Sequence, residues 1–169
     1  MKHLLALLAL VLLPQIAEAQ KAYTKNIYLT PAVTASSAYS TGQVIGGLLT
    51  FQGTQAGIVV DAAVLEIDQQ SVVMELWLFN AKPSVIADKG TFTLSDADYA
   101  KQAGYISFPT ANIASDTNGS VHYVAAQGVA VRGPIVNGQG TFYGYLVNRG
   151  TPTWSTTSSV TVKVGMLSD

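Results

Sequence analysis

Residues 160–167 read VTVKVGML, and this stretch decides the fold class. Its even positions from 160 to 166 carry Val, Val, Val and Met, whereas Thr161 and Lys163 occupy odd positions. A period of two is the pattern of a β-strand that turns one face toward a core. The stretch therefore predicts a half-buried strand and sets the pattern to look for elsewhere in the chain.

Seven further segments share its alternation or its content of β-branched residues, and Gly, Pro and Asn residues separate them. They are residues 22–29, 43–51, 57–67, 71–79, 105–108, 120–126 and 141–147. The run VVMELWLF (72–79) is apolar on both faces except at Glu75, which is typical of a central strand. We predict an all-β fold, a two-layer antiparallel β-sandwich with jelly-roll topology.

One segment departs from the strand pattern. Ser95 is a favourable helix N-cap, Asp96 and Asp98 place acidic residues in a first turn, and Gly104 follows as a stop. We expect one short helix around residues 95–102, on a connection outside the core.

The first nineteen residues are typical of a secretory signal. Lys2 precedes an apolar run that ends at Leu13, and Ala17 and Ala19 stand three and one residues before a cleavage point. The run is shorter than the ~20 residues that span a bilayer, so no span is expected in the mature chain. A cleaved signal, a retained hydrophobic arm and a misplaced start codon all remain open. We divide the chain into this leader (1–19), an N-terminal arm with the first strand (20–42) and a sandwich domain (43–169).

The composition excludes several kinds of site. The chain has no cysteine, which excludes disulfides, zinc ribbons, iron–sulfur clusters and thiolate catalysis. A net charge of −1, with basic residues spread singly, argues against nucleic-acid binding. Only 11% of residues are charged, against a usual fraction of about 25%. Such a surface is either covered with neutral polar residues or partly buried against partners.

No catalytic histidine site is expected. His122 is the only histidine after the leader, and its alternation with apolar neighbours predicts that it faces solvent on a strand. Asp116 and Ser120 lie nearby in sequence, but Ser and Asp are abundant and a triad depends on spatial geometry. We predict no enzymatic activity and no cofactor.

The acidic residues do not predict a metal site either. Neither Asp96 with Asp98 nor the group Asp61, Glu66 and Asp68 shows the spacing of a calcium loop. Glu75 lies in a strand that looks buried, and a buried carboxylate needs a partner. We expect Lys163 or Arg132 to supply it.

The aromatic residues provide the candidates for binding. Tyr143 and Tyr145 alternate on one strand face, and Trp154 lies in the hydroxyl-rich stretch TPTWSTTSS (151–159). An exposed loop tryptophan is a candidate anchor for a sugar or a protein, whereas the alternative is that its ring folds back over the end of the sandwich. The candidate partner contacts are Trp154, Tyr143, Tyr145 and Tyr39, together with the arm from Asn26 to Ser40.

Four phrases stand out in order along the chain: YSTGQVIGGLLTF (39–51), ELWLFNAKP (75–83), FTLSDAD (92–98) and YGYLVNRGTPTW (143–154). Together they resemble small all-β proteins encoded among the virion structural genes of tailed bacteriophages. The resemblance covers residues 39–169 and implies a virion component, such as a capsid decoration (cement) protein or a head-fibre or tail accessory protein. It carries over no functional residues, because such proteins act through surfaces.

We therefore expect a non-enzymatic structural protein at the capsid surface of a phage virion. Its partners would be the major capsid protein or another virion protein, and uncharged contacts favour homo-oligomers. The alternative is that the leader is a functional secretory signal. The protein would then be a secreted or periplasmic β-sandwich, cleaved after Ala19, that binds carbohydrate or mediates adhesion. The mature N-terminus distinguishes the two.

Overall fold

The computed structural model describes residues 23–53, 56–110, 113–115, 121–125 and 127–168. Within these residues the chain forms eleven strands and one single-turn helix. The elements are β1 (Tyr23–Leu29), β2 (Val44–Gly53), β3 (Ala56–Glu66), β4 (Met74–Phe79), α1 (Asp96–Tyr99), β5 (Gln102–Phe108), β6 (Ile113–Ser115), β7 (Val121–Ala125), β8 (Val129–Arg132), β9 (Ile135–Val136), β10 (Gln139–Asn148) and β11 (Val160–Ser168). The predicted leader (1–19) lies outside the described residues.

The strands form two antiparallel sheets. The first sheet has the order β1-β11-β3-β7-β6 with β8 beside β3, and the second has the order β2-β10-β4-β5 with β9 beside β10. The pairing is nested, since β1 pairs with β11, β2 with β10, β3 with β7 and β4 with β5. This is one long antiparallel ribbon rolled into two layers, which is a jelly roll. The predicted sandwich and its jelly-roll topology are confirmed.

The main core lies between the two sheets. The first sheet contributes the even positions of β11 from Val160 to Met166, all fully buried as the alternation predicts. The second sheet contributes Leu76 from β4 and a stacked pair, Phe51 and Phe142, whose ring centroids lie 4.8 Å apart. Burying each such side chain contributes about 1.5–3 kcal/mol, which makes this layer the main source of stability.

The outer faces of the two sheets differ. The outer face of the second sheet lies beneath the connection between β4 and β5, residues 80–101, which includes α1. A second apolar cluster packs there, formed by Val44, Phe79, Tyr143, Tyr145 and Val147 with the half-buried Leu48, Trp77, Ile86, Phe92 and Leu94. The outer face of the first sheet has no comparable covering segment among the described residues.

The helix is shorter than predicted but begins as predicted. Ser95 is its N-cap and accepts a hydrogen bond from the Asp98 backbone N–H. The Asp98 carboxylate accepts from the Lys101 ammonium, the Ser84 backbone N–H and the Ser95 hydroxyl at 2.9–3.0 Å. These bonds, with Lys101 the strongest, hold the pKa of Asp98 well below its usual range. Gly104 is not the stop that was predicted: the helix ends at Tyr99, β5 begins at Gln102, and Gly104 lies inside that strand, opposite Leu78 of β4.

Three short strands, β6, β8 and β9, were not predicted. Each has two to four residues, too few for an alternation to be recognised. β7 and β8 both pair with β3, through Ala125 opposite Ala62 and Val129 opposite Val59. Within the described part of the chain, no helix is long and apolar enough to span a membrane.

The entry into β2 requires a glycine. Gly46 has φ +72°, and a Cβ there would lie 2.1 Å from Cβ of Pro31. Gly42 has a similar φ of +84°, but a Cβ there would meet no atom within 4 Å. Both positions adopt the left-handed conformation, and only Gly46 is also crowded.

We therefore expect Gly46→Ala to lower the free energy of unfolding, measured in urea, by clearly more than Gly42→Ala. Gly42→Ala is the matched control, because it adds only the strain of the left-handed conformation, about 1–2 kcal/mol. Equal losses in the two variants would show that the contact with Pro31 is not limiting.

Candidate functional site

Trp154 is fully buried, which decides between the two alternatives: its ring is not an exposed anchor but folds back over the end of the sandwich. Its ring meets Tyr39 edge-on at 6.2 Å, and its carbonyl accepts a 2.7 Å hydrogen bond from the Ser36 N–H. Ala35 forms a parallel bridge with it. The ring folds back over the end of the sandwich because the N-terminal arm runs alongside its loop. The sequence does not predict this contact, because the arm and the loop are far apart along the chain.

The three candidate tyrosines are also buried. Tyr143 and Tyr145 share one face of β10, as predicted, but that face lies under residues 80–101. The Tyr145 hydroxyl donates to the Ser84 carbonyl at 2.6 Å and accepts from the Ile86 N–H at 3.0 Å. Burial raises the pKa of Tyr145. These buried rings pack against segments of their own chain, so they are not available to contact a partner.

Tyr39 holds the arm and the connection together through Asp88. The Asp88 carboxylate accepts from the Tyr39 hydroxyl at 2.7 Å, from the Thr34 backbone N–H at 2.8 Å and from the Gly46 N–H at 2.6 Å. Burial, with the hydrogen bond to Asp88, raises the pKa of Tyr39 well above its usual range. The arm from Asn26 to Ser40 thus packs on its own chain around this carboxylate.

Glu75 pairs with neither of its predicted partners. Its Oε2 lies 2.6 Å from a guanidinium nitrogen of Arg149 and accepts from the indole N–H of Trp77 at 2.9 Å. Burial would raise the pKa of Glu75, but the bonds from Arg149 and Trp77 outweigh it, so the pKa is lowered. Lys163 instead lies 3.1 Å from Asp61 on the first sheet. Glu75 faces the outer side of the second sheet, which separates it from Lys163.

The acidic residues that were weighed as metal ligands have other partners. Glu66 is buried and accepts from the N–H groups of Asp68 at 2.5 Å and Gln70 at 2.8 Å. The Asp68 carboxylate accepts from the Ser155 N–H at 2.9 Å. Among the described residues, no group of three or more His, Asp or Glu is placed to hold a metal ion.

His122 lies on β7 opposite Leu65 of β3. The position of its side chain, and therefore the prediction that it faces solvent, lies outside the described part of the chain, as do Asp116 and Ser120.

A cavity of about 300 Å³ opens on the outer face of the second sheet. It is lined by Trp77, Phe92, Thr93, Leu94, Tyr99 and Arg149, and we call it the aromatic cavity. Trp77 stacks on Tyr105 of the neighbouring strand, with centroids 5.0 Å apart and an interplanar angle of 18°, and packs against Phe92 at 5.1 Å. The sequence signal is the second face of β4, where Glu75 and Trp77 lie two residues apart, but the alternation alone predicts only a central strand and a partner for Glu75.

A second surface is the outer face of the first sheet, which we call the open face. The register aligns Tyr28, Lys163, Ala63 and Val124 in one row across four strands. Leu65 and Thr161 border a shallow cavity of about 170 Å³ in this row. The open face is largely apolar, and Asp61 neutralises its Lys163.

Comparisons with known proteins do not assign either surface. The chain matches no protein-family model and no curated protein.

We expect Trp154→Ala to lower the free energy of unfolding by about 3–5 kcal/mol, because it removes a large, fully buried side chain. Tyr28→Ala is the control, since its ring is 63% exposed, and its loss should stay within about 1 kcal/mol. A loss of that smaller size for Trp154→Ala, in urea unfolding, would contradict the burial of the indole.

We also expect Arg149→Gln to raise the pKa of Glu75. The substitution removes the charged hydrogen bond that lowers this pKa, whereas burial, which raises it, remains. Because the pKa of Glu75 is lowered, the ion pair stabilises the fold at pH values above the ordinary carboxyl pKa. This stabilisation is lost as the pH falls through the lowered pKa. The measurement is an NMR titration of the Glu75 carboxyl carbon, with Lys163→Gln as the control that leaves it unchanged. An unchanged pKa in Arg149→Gln would exclude this ion pair.

Proposed function

We propose that this chain is a non-enzymatic structural protein of a bacteriophage virion. In this role it lies on the capsid surface as a decoration or accessory protein and binds the major capsid protein or another virion protein. The observation that carries the proposal is the open face, which exposes Tyr28, Ile58 and Val124 around the paired Lys163 and Asp61 and carries Arg132 where β8 borders it.

The open face has the chemistry of a protein contact. Val124 is 52% exposed and Tyr28 is 63% exposed, and Ile58 lies on a neighbouring row of the same face. Contiguous apolar surface of this kind marks interaction sites, and the centres of interfaces are depleted in charged residues. Lys163 and Asp61 neutralise each other 3.1 Å apart, so burying this face would leave neither charge of the pair without a partner.

The difference between the sheets supports the same role. The second sheet covers its outer face with residues 80–101, whereas the first sheet leaves its apolar residues accessible among the described parts of the chain. A repeated lattice of shell subunits would offer many equivalent sites for such a face. Weak contacts then add up wherever one assembly engages several sites at once.

Two further considerations agree with a virion role. Jelly-roll domains build viral capsids as well as lectins, which is an analogy at the level of the fold. The four phrases between residues 39 and 154 resemble virion proteins of tailed phages. The low charge, 11% of residues, suits a protein much of whose surface is covered in an assembly.

The first test is density-gradient sedimentation of the native source material, with mass spectrometry of each fraction. We expect the protein to travel with particles in a fixed ratio to the major shell protein. Recovery only in free or envelope fractions, starting at Gln20, would overturn the virion role in favour of a secreted protein.

The second test places a charge on the open face. We expect Val124→Asp to lower binding of the added full chain to particles grown without it by at least roughly tenfold, because a carboxylate would be buried in the contact. Tyr99→Asp, at a similarly exposed position on α1 over the opposite sheet, is the matched control and should bind normally. Normal binding of Val124→Asp would exclude this face as the contact.

A further inference from the structure

We infer that the aromatic cavity is a binding site for one ring of a neutral pyranose sugar. The inference does not rest on the virion role, because it concerns the opposite sheet. It holds equally for a protein on a capsid and for a secreted one.

The walls of the cavity suit the apolar face of a sugar ring. Trp77, Phe92 and Leu94 form an apolar wall, and Tyr99 stands at the mouth with 55% of its surface exposed. Trp77 stacks on Tyr105 and packs at a tilt against Phe92, so its orientation is set before any ligand arrives. Aromatic rings of this kind combine a large apolar contact with little loss of side-chain freedom.

The polar groups of the cavity suit hydroxyl groups. Arg149 carries five N–H donors, and its contact with Glu75 uses one nitrogen of the guanidinium. Thr93 adds a hydroxyl that both donates and accepts. The indole N–H of Trp77 already donates to Glu75, so Trp77 offers its ring rather than a donor. A few directional polar groups within an aromatic wall are what orient a small ligand in a pocket.

The electrostatics select a neutral ligand. Glu75 lies 2.6 Å from Arg149 and cancels its charge, and hydrogen bonds from Arg149 and Trp77 keep the carboxylate ionised. An anionic ligand would have to compete with Glu75 for the guanidinium, and a cationic ligand with Arg149 for the carboxylate. A polyol satisfies the remaining donors without disturbing the ion pair.

The size of the cavity argues against an extended peptide. A proline-rich segment also prefers aromatic surfaces, but it needs a groove several residues long. The connection that carries Phe92 and Leu94 lines this cavity and leaves about 300 Å³, the lower end of the range for small-molecule pockets. One sugar ring fits this space, with the rest of an oligosaccharide leaving past Tyr99.

The test is saturation-transfer NMR of the full chain with the methyl glycosides of glucose, galactose, mannose and N-acetylglucosamine, each at millimolar concentration. We expect at least one glycoside to receive saturation from the protein. Tyr99→Ala and Arg149→Gln should each weaken its binding roughly tenfold, because one removes a stacking ring and the other a charged donor. Circular dichroism and thermal melting verify that both variants remain folded.

The matched control is Tyr28→Ala, which removes an equally exposed tyrosine from the opposite sheet and should leave glycoside binding unchanged. The inference is overturned if no glycoside receives saturation, if neither cavity variant weakens binding, or if a proline-rich peptide binds the cavity and no glycoside does. Particle binding by Tyr99→Ala is measured in parallel. A loss of sugar binding alone, with normal particle binding, separates this site from the open face.

Discussion

The rest of the structure depends on one constraint: the second sheet is apolar on both faces and has to be covered on both. Leu76 and Phe142 face the first sheet, whereas Phe79 and Tyr145 face outward. Residues 80–101 supply the missing cover, and hydrogen bonds from buried polar groups hold them there. Tyr145 bonds to Ser84 and Ile86, Asp98 bonds to Ser84, and Asp88 joins the same segment to the arm. A carboxylate or a phenol at each of these points removes the penalty of burying backbone N–H groups or carbonyls without a partner.

This covering segment also divides the molecule into two kinds of surface. Where it ends beside β4 and β5, it leaves the aromatic cavity with Arg149 at its edge. The first sheet has no such segment among the described residues, so Tyr28 and Val124 in its outer row stay exposed. The chain therefore shapes the outer face of the second sheet into a concave cavity lined by aromatic residues. The outer face of the first sheet stays open across four strands.

The sequence predicts the fold well because the strands depend on a local pattern, the alternation of apolar and polar residues. The even positions of residues 160–166 and the N-cap at Ser95 each depend on near neighbours, and both predictions are confirmed. The site was missed because its contacts are distant in sequence: Arg149 reaches Glu75 across 74 residues. The sequence left two alternatives open for Trp154 for the same reason, since no local pattern places the arm beside it. Alternation reveals that a face is apolar, but it does not reveal which segment will cover it.

The nested strand pairing has a consequence for how the protein is made. β1 pairs only with β11 among the described strands, and Thr30 meets Thr161 across 131 residues. During translation the first strand therefore stays without this partner until β11 has also left the ribosome. One edge of β3 waits for β11 too, whereas its other edge pairs earlier with β7 and β8. Native contacts so distant in sequence are slow to form. β11, whose alternation predicts the fold class, is thus also the strand whose synthesis allows the first sheet to be completed.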